Sequence, residues 1–264
     1  MDKGRSIGLF GTVILALIGL SGCYEPEPRP RVIGEDRPVV MPEPQLVPRY
    51  RMLGRSVQGR PITAQILGNG ADTTLVMATI HGNEPAGTPL VRRLADHLMT
   101  HSDLLAGRTV VIIPVANPDG LAAGTRENIR GVDLNRNFEA SNRVNTAATG
   151  HQALSEPESR ALYAAIQEFR PTRILSIHQP LSCIDYDGPG KALAAAIAAA
   201  CRLPVKKLGA MPGSLGSYTG EELGIPTITV ELPAGATHLS EDALWDRYGQ
   251  AMIVGITYSL PASK

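Results

Sequence analysis

Three runs of apolar and β-branched residues in this chain each lead into a side chain that binds metals or moves protons. "TLVMATI" runs into His81, with Glu84 three residues on; "RILSI" runs into His178; "PTITV" runs into Glu231. Imidazole and carboxylate are borderline donors that suit zinc, and a catalytic zinc site uses three protein groups and keeps a position open for water. His81, Glu84 and His178 make such a set. Glu231 is then left over as the unligated carboxylate that takes a proton from the attacking water. A single ending of this kind reads more simply as a core polar residue or a loop residue, and an H-x-x-E pair recurs by chance. Three endings together, with Glu84 beside the first, make chance the weaker account.

Other candidates carry less. His97 and His101 lie four apart on an expected helix, but "HLMTH" lacks the glutamate of a zinc-protease helix and reads as a solvated helix end. His151 and His238 sit in polar loops and receive no role. The segment "NPDGLAAGTRENIRGVDLNRNF", residues 117–138, gathers Arg126, Arg130 and Arg136 around Asn135. Guanidinium groups bind carboxylates in a two-pronged geometry and stabilise an oxyanion as it forms. Alone, this segment reads as a solvated loop with its arginines facing water. The strand endings make it a place to look for a site, because loops longer than about 15 residues are uncommon unless functional or disordered.

The elements that position these groups follow from periodicity. Strands are expected at Thr74 to Ile80, Thr109 to Val115, Ile174 to His178 and Thr227 to Glu231. Helices are expected at Ala86 to Thr100, Glu156 to Phe169, Lys191 to Arg202 and Glu241 to Tyr258, the second opened by a Ser155/Glu158 capping box. Alternation of this kind predicts an α/β fold with a mixed, mostly parallel sheet flanked by helices. In open sheets of that class ligands gather outside the carboxyl ends of the strands, where His81, His178 and Glu231 fall.

The chain has 264 residues, enough for one medium-sized domain with short appendages. Its 25 basic and 25 acidic residues balance and form no basic stripe, which argues against a nucleic-acid partner. Residues 1–22 read as an export signal: Lys3 and Arg5, an apolar run from Ile7 to Leu20 too short to span a bilayer comfortably, then "LSGC". That tetrapeptide resembles the bacterial lipobox, which implies cleavage before Cys23 and lipidation of its sulfur; an uncleaved membrane anchor is the alternative. Tyr24 stands where an aspartate often signals inner-membrane retention, so the resemblance favours the outer membrane. Residues 23–48 contain seven prolines and read as an extended spacer, with a folded domain over residues 49–264. An oxidising periplasm would permit a disulfide between Cys183 and Cys201, although sequence does not fix the required geometry.

The ordered set "HGNEPAG", "NPDG", "TRENIRGVDLNRNF", "SEPESRAL", "SIHQPLSCID", "PGSLGS" and "TITVELP" resembles the zinc carboxypeptidase family of the carboxypeptidase A type, over about Arg49 to Leu260. Within it the likeness is greatest to the murein tripeptide amidases, which cut between γ-D-glutamate and meso-diaminopimelate. The resemblance implies a zinc carboxypeptidase-like fold and one Zn2+ per chain on His81, Glu84 and His178. It implies Glu231 as general base, Arg126 as carbonyl polariser, Asn135 and Arg136 as the clamp on the substrate's terminal carboxylate, and Asp133 as the group orienting His81. The implied partners are peptidoglycan stem peptides or murein tripeptide, and a membrane reached through the lipid on Cys23.

There are departures. No tyrosine precedes the "GS" loop near Gly209, Tyr218 lying beyond it. Gln179 stands where the amidases carry an acidic residue, and Arg130 is an additional arginine near Arg126. Two other readings are a zinc deacylase of N-acyl amino acids, of the aspartoacylase and succinylglutamate desuccinylase type, and a wall-binding lipoprotein without catalysis. "GVDLNRNF" with "PGSLGS" and "TVELP" favours the peptidase branch over the first; Glu231, which a binder does not need, argues against the second.

Overall fold

The computed structural model describes residues 47–260. The expected export signal, Cys23 and nearly all of the proline-rich segment lie outside the described residues. Seven strands form one sheet: β1 (Arg49–Arg55), β2 (Pro61–Gly68), β3 (Asp72–Ala78), β4 (Arg108–Ile113), β5 (Arg173–His178), β6 (Leu181–Asp187) and β7 (Thr227–Pro233), in the order β1-β2-β4-β3-β5-β7-β6. The central four, β4, β3, β5 and β7, run parallel; β1, β2 and β6 are antiparallel to their neighbours. The helices are α1 (Gly87–Thr100), α2 (Pro118–Ala123), α3 (Pro157–Phe169), α4 (Lys191–Cys201) and α5 (Glu241–Thr257). None among the described residues is long and apolar enough to cross a membrane.

The central strands are buried almost throughout, as their unbroken apolar runs require when helices cover both faces. On one face α1, α4 and α5 bring Leu90, Leu94, Ile197, Tyr248 and Met252 against Val76, Ile112, Leu175 and Val230. On the other, α3 brings Leu162, Ala165 and Ile166 against Ile62, Leu75, Met77 and Ile174, joined by Phe138 from the long connection. This second face changes character towards β6. There the alternating inward positions are Ser176 and His178, Thr229 and Glu231, and Cys183, Asp185 and Asp187. A face that is core at one end is thereby a polar floor at the other.

All four expected strands and all four expected helices are present, within two residues or so of the anticipated ends. One local expectation is corrected. No capping box opens α3: its first flanking residue is Glu156, without a side-chain cap. Glu158 instead accepts from the Val57 amide in the β1–β2 turn and from Asn128, while the Ser155 hydroxyl donates to Glu156. The turn and the long connection claim the carboxylate that the helix end would have used. Cys183, buried on β6, and Cys201, closing α4, are both free thiols rather than a disulfide.

Candidate active site

Parallel neighbours with matched register bring their ends together, and the register pairs His178 directly with Glu231. β3 lies on the other side of β5, and the chain leaves it through Thr79, held at φ 55 with its hydroxyl bonded to Thr88 and to the Glu84 carbonyl. That bend swings His81 and Glu84 over the end of β5. Gly82 fits because the backbone of Gly120 lies against it: a Cβ there would sit 1.9 Å from the Gly120 carbonyl carbon. This close approach docks the long connection onto the His81 loop. Asn117 reinforces it by accepting from Gly120 and donating to the Ile80 carbonyl.

The docked connection delivers the remaining groups. Asp133 faces His81 Nε2 through Oδ1 at 3.1 Å and accepts the Arg126 Nε–H at Oδ2, also at 3.1 Å. Arg126 donates a second bond to Glu84, at 3.1 Å. Asn135 accepts from the Leu215 amide through its Oδ1, which leaves its NH2 group for the cavity it lines, and Arg136 lines the same wall. Arg130 turns away, with its guanidinium 3.5 Å from Glu156, so of the two neighbouring arginines only Arg126 reaches the site. His81, Glu84, His178, Glu231, Arg126, Asn135 and Arg136 all line one cavity of about 230 Å3. His97 and His101 stack on each other elsewhere, with the His97 ring tilted against Trp245.

A metal fits the three ligand residues on chemical grounds. The Glu84 carboxylate faces His81 Nδ1 through one oxygen and His178 Nδ1 through the other, each at 2.9 Å, and all three side chains are buried. Among the described residues this is the one group of three such donors whose ligand atoms lie within 4.8 Å of one another. Neutral His81 has a single ring N–H, yet both of its nitrogens face carboxylate oxygens, so one contact needs either a second ring proton or a metal cation between its partners. Two imidazoles and a carboxylate are a donor set of catalytic zinc, and Asp133 on the far nitrogen of His81 fixes the tautomer that presents Nδ1.

The charges are strongly coupled. Burial opposes the charge on Glu84, but the bonds to His178 and His81 outweigh it and hold the carboxyl well below the usual range. Burial likewise works against Asp133, yet His81, Arg126 and Arg136 keep it ionised far into acid. For Glu231 burial wins and raises the pKa, despite His178 and the Leu181 amide, which donates to Oε2 at 3.3 Å. The group suited to moving a proton is thus set apart from the two fixed as anions.

Two residues singled out by their departure from the expected pattern have structural places. Gln179 accepts from the Ala86 amide and donates to Thr237, so its side-chain amide is committed to joining loops. Tyr218 faces α3, its hydroxyl accepting from Gln167 and its ring stacked on Tyr163, and burial pushes its pKa up to about 12. Sequence reasoning missed Ser176, Thr229, Asp185 and Asp187, which line the cavity floor. The signal was the alternation in "SIH", "TITVE" and "CIDYD", where every second residue is polar.

The family described as zinc carboxypeptidase matches residues 39–187. Murein peptide amidase A of Escherichia coli K12 is 36% identical over 218 residues, covering 75% of this chain and 86% of that protein. The protein of the same name from Vibrio campbellii is 30% identical over 220 residues, covering 74% and 84%. Among solved structures, murein-tripeptide amidase from Escherichia coli O157 superposes with a TM-score of 0.59 at 28% identity, covering 82% of this chain and 94% of that one. Carboxypeptidase A from Helicoverpa armigera shares the fold, with a TM-score of 0.69 at 24% identity over 79% of this chain and 68% of that one. With that sequence match, this fold and a His81–Glu84–His178 zinc site, the chain belongs to the zinc carboxypeptidase family.

Proposed function

We propose that this protein is an exported amidase that hydrolyses peptidoglycan-derived peptides at the bond between γ-D-glutamate and meso-diaminopimelate. The observation that carries the reading is the Asn135–Arg136 wall in the same cavity as the Glu231 carboxylate and the zinc ligands. A guanidinium beside a free amide suits a terminal carboxylate on the leaving side of the scissile bond. The likeness to murein peptide amidases supplies the substrate class.

Zinc held by His81, Glu84 and His178 would supply a Lewis acid for the carbonyl oxygen and lower the pKa of a bound water. Asn135 and Arg136 fix the substrate by its carboxylate, which converts the attack on the carbonyl into an effectively unimolecular step. Arg126, 38% exposed at its side chain and anchored by Asp133, donates towards the carbonyl oxygen as negative charge develops there. Glu231 accepts the proton of the attacking water and passes it to the departing amine. Its raised pKa favours holding that proton between the two steps.

On the same reading, residues 1–22 direct export and Cys23 carries lipid. Residues 23–48 hold the domain away from the membrane, most simply the outer membrane, facing the wall from the periplasm. The test is hydrolysis of L-Ala-γ-D-Glu-meso-diaminopimelate by the zinc-loaded domain, beside N-acyl amino acids. Release of diaminopimelate, abolished by chelator, is expected. Turnover of N-acyl amino acids alone would assign the protein to the deacylases, and tight peptide binding without turnover would make it a binding protein.

A further inference from the structure

The floor of the cavity has a chemistry that zinc hydrolysis does not call for. The register sets Ser176 of β5 beside Thr229 of β7, and Thr229 beside Asp185 of β6. This polar row lies two residues, about 6.7 Å, below the row that carries His178 and Glu231. Ser176 and Asp185 are 2% and 5% exposed. The Ser176 hydroxyl has no hydrogen-bond partner among the described residues. The Asp185 carboxylate accepts the Leu208 amide through one oxygen at 2.8 Å, and no other hydrogen bond to that carboxylate is made among the described residues. Asp187, one row deeper, is different: Lys207 lies 3.0 Å from it and meets its charge. A buried carboxylate without a countercharge is costly, and so is a buried hydroxyl without a partner. An ammonium group entering from the cavity relieves both costs, since it brings three donors and a positive charge.

We propose that Asp185, with Ser176, is the specificity determinant that takes the side-chain ammonium of the residue on the leaving side of the scissile bond, and so selects a diamino acid. The inference rests on the function proposed above and deepens it. It places recognition of the second amine on the sheet floor, below the catalytic row. Gln179, whose amide already bonds Ala86 and Thr237, carries no charge with which to meet an ammonium.

The experiment uses two pairs of peptides, one γ-linked through D-glutamate and one α-linked. Each pair ends either in diaminopimelate or in 2-aminopimelate, which lacks only the second amine. The readout is the ratio of kcat/KM within a pair, for the zinc-loaded protein and for its Asp185→Asn and Ser176→Ala variants. Zinc content and melting temperature of each variant confirm folding. The parent is expected to prefer the diamino member by about tenfold or more, the scale of one charge-assisted hydrogen bond. Asp185→Asn is expected to bring that ratio close to one, mainly through KM, and Ser176→Ala to lower it part of the way. A parent without preference, or a preference that survives Asp185→Asn, overturns the inference. Cleavage of the α-linked pair alone, with an Asp185-dependent preference, would overturn the proposed bond and uphold this inference.

Discussion

Asp133→Asn isolates the group that joins the metal site to Arg126. In the parent, Asp133 Oδ1 meets His81 Nε2 at 3.1 Å and accepts the Asn135 amide at 2.9 Å, while Oδ2 accepts Arg126 Nε–H at 3.1 Å. Its side chain is only 14% exposed, so water does not replace a lost partner. Asparagine keeps one oxygen but removes the charge that makes His81 a better donor to zinc. If that oxygen stays with His81, the new NH2 group faces the Arg126 N–H, donor against donor. Loss of a partner behind a metal-bound histidine typically weakens metal affinity 10- to 100-fold, or about 1.4–2.7 kcal/mol. The assay is competition for zinc against a chromophoric chelator at fixed pH and ionic strength, with a melting curve to confirm the fold. Turnover at saturating zinc should fall further, because Arg126 has lost its anchor. A folded variant that binds zinc within about twofold of the parent would refute the reasoning.

Other expectations follow from the same geometry. Arg136→Ala should raise KM at least tenfold for peptides with a free terminal carboxylate, the scale of a charge-assisted bond, and much less for their amidated counterparts; an equal effect on both would remove the clamp. The raised pKa of Glu231 has a sign that melting can read in the metal-free protein. A carboxyl whose folded pKa lies above its unfolded one contributes stability below the unfolded value and loses it as pH rises through the folded value. Metal-free Glu231→Gln should therefore melt above the metal-free parent at neutral pH, and the gap should close below the ordinary glutamate range. Gly216→Ala would place a Cβ 1.9 Å from the buried Asp187 carboxylate. Overpacking of that kind costs about 1–3 kcal/mol, and each kcal/mol lowers Tm by about 2–4 °C in a domain of this size. An unchanged Tm would mean that Asp187 moves freely.

The zinc-binding histidines and Glu231 were legible because parallel strands of matched register end together, so apolar runs finishing on His81, His178 and Glu231 converge. The roles of Arg126, Asn135 and Arg136 were not derivable that way. They sit on an irregular connection docked through Gly82 and Asn117, and family likeness rather than periodicity pointed to them. β6 escaped notice because "LSCIDYD" carries a serine and two aspartates, residues that pleated strands disfavour. Those aspartates are tolerated there because one lines the cavity and the other pairs with Lys207. β1 was missed for another reason: it is an exposed edge strand with three arginines and no buried alternation. The expected capping box failed because Glu158 is taken by the β1–β2 turn, a contact 101 residues distant in sequence.

The measurement that bears most directly on the account is a zinc titration of metal-free protein against hydrolysis of the γ-linked diaminopimelate peptide, run in parallel on Glu231→Gln. The account predicts activity rising to a plateau at one equivalent of zinc in the parent, and the same single zinc bound by the variant with turnover almost abolished. Substantial turnover by zinc-loaded Glu231→Gln, or full activity of the parent without metal, would contradict it.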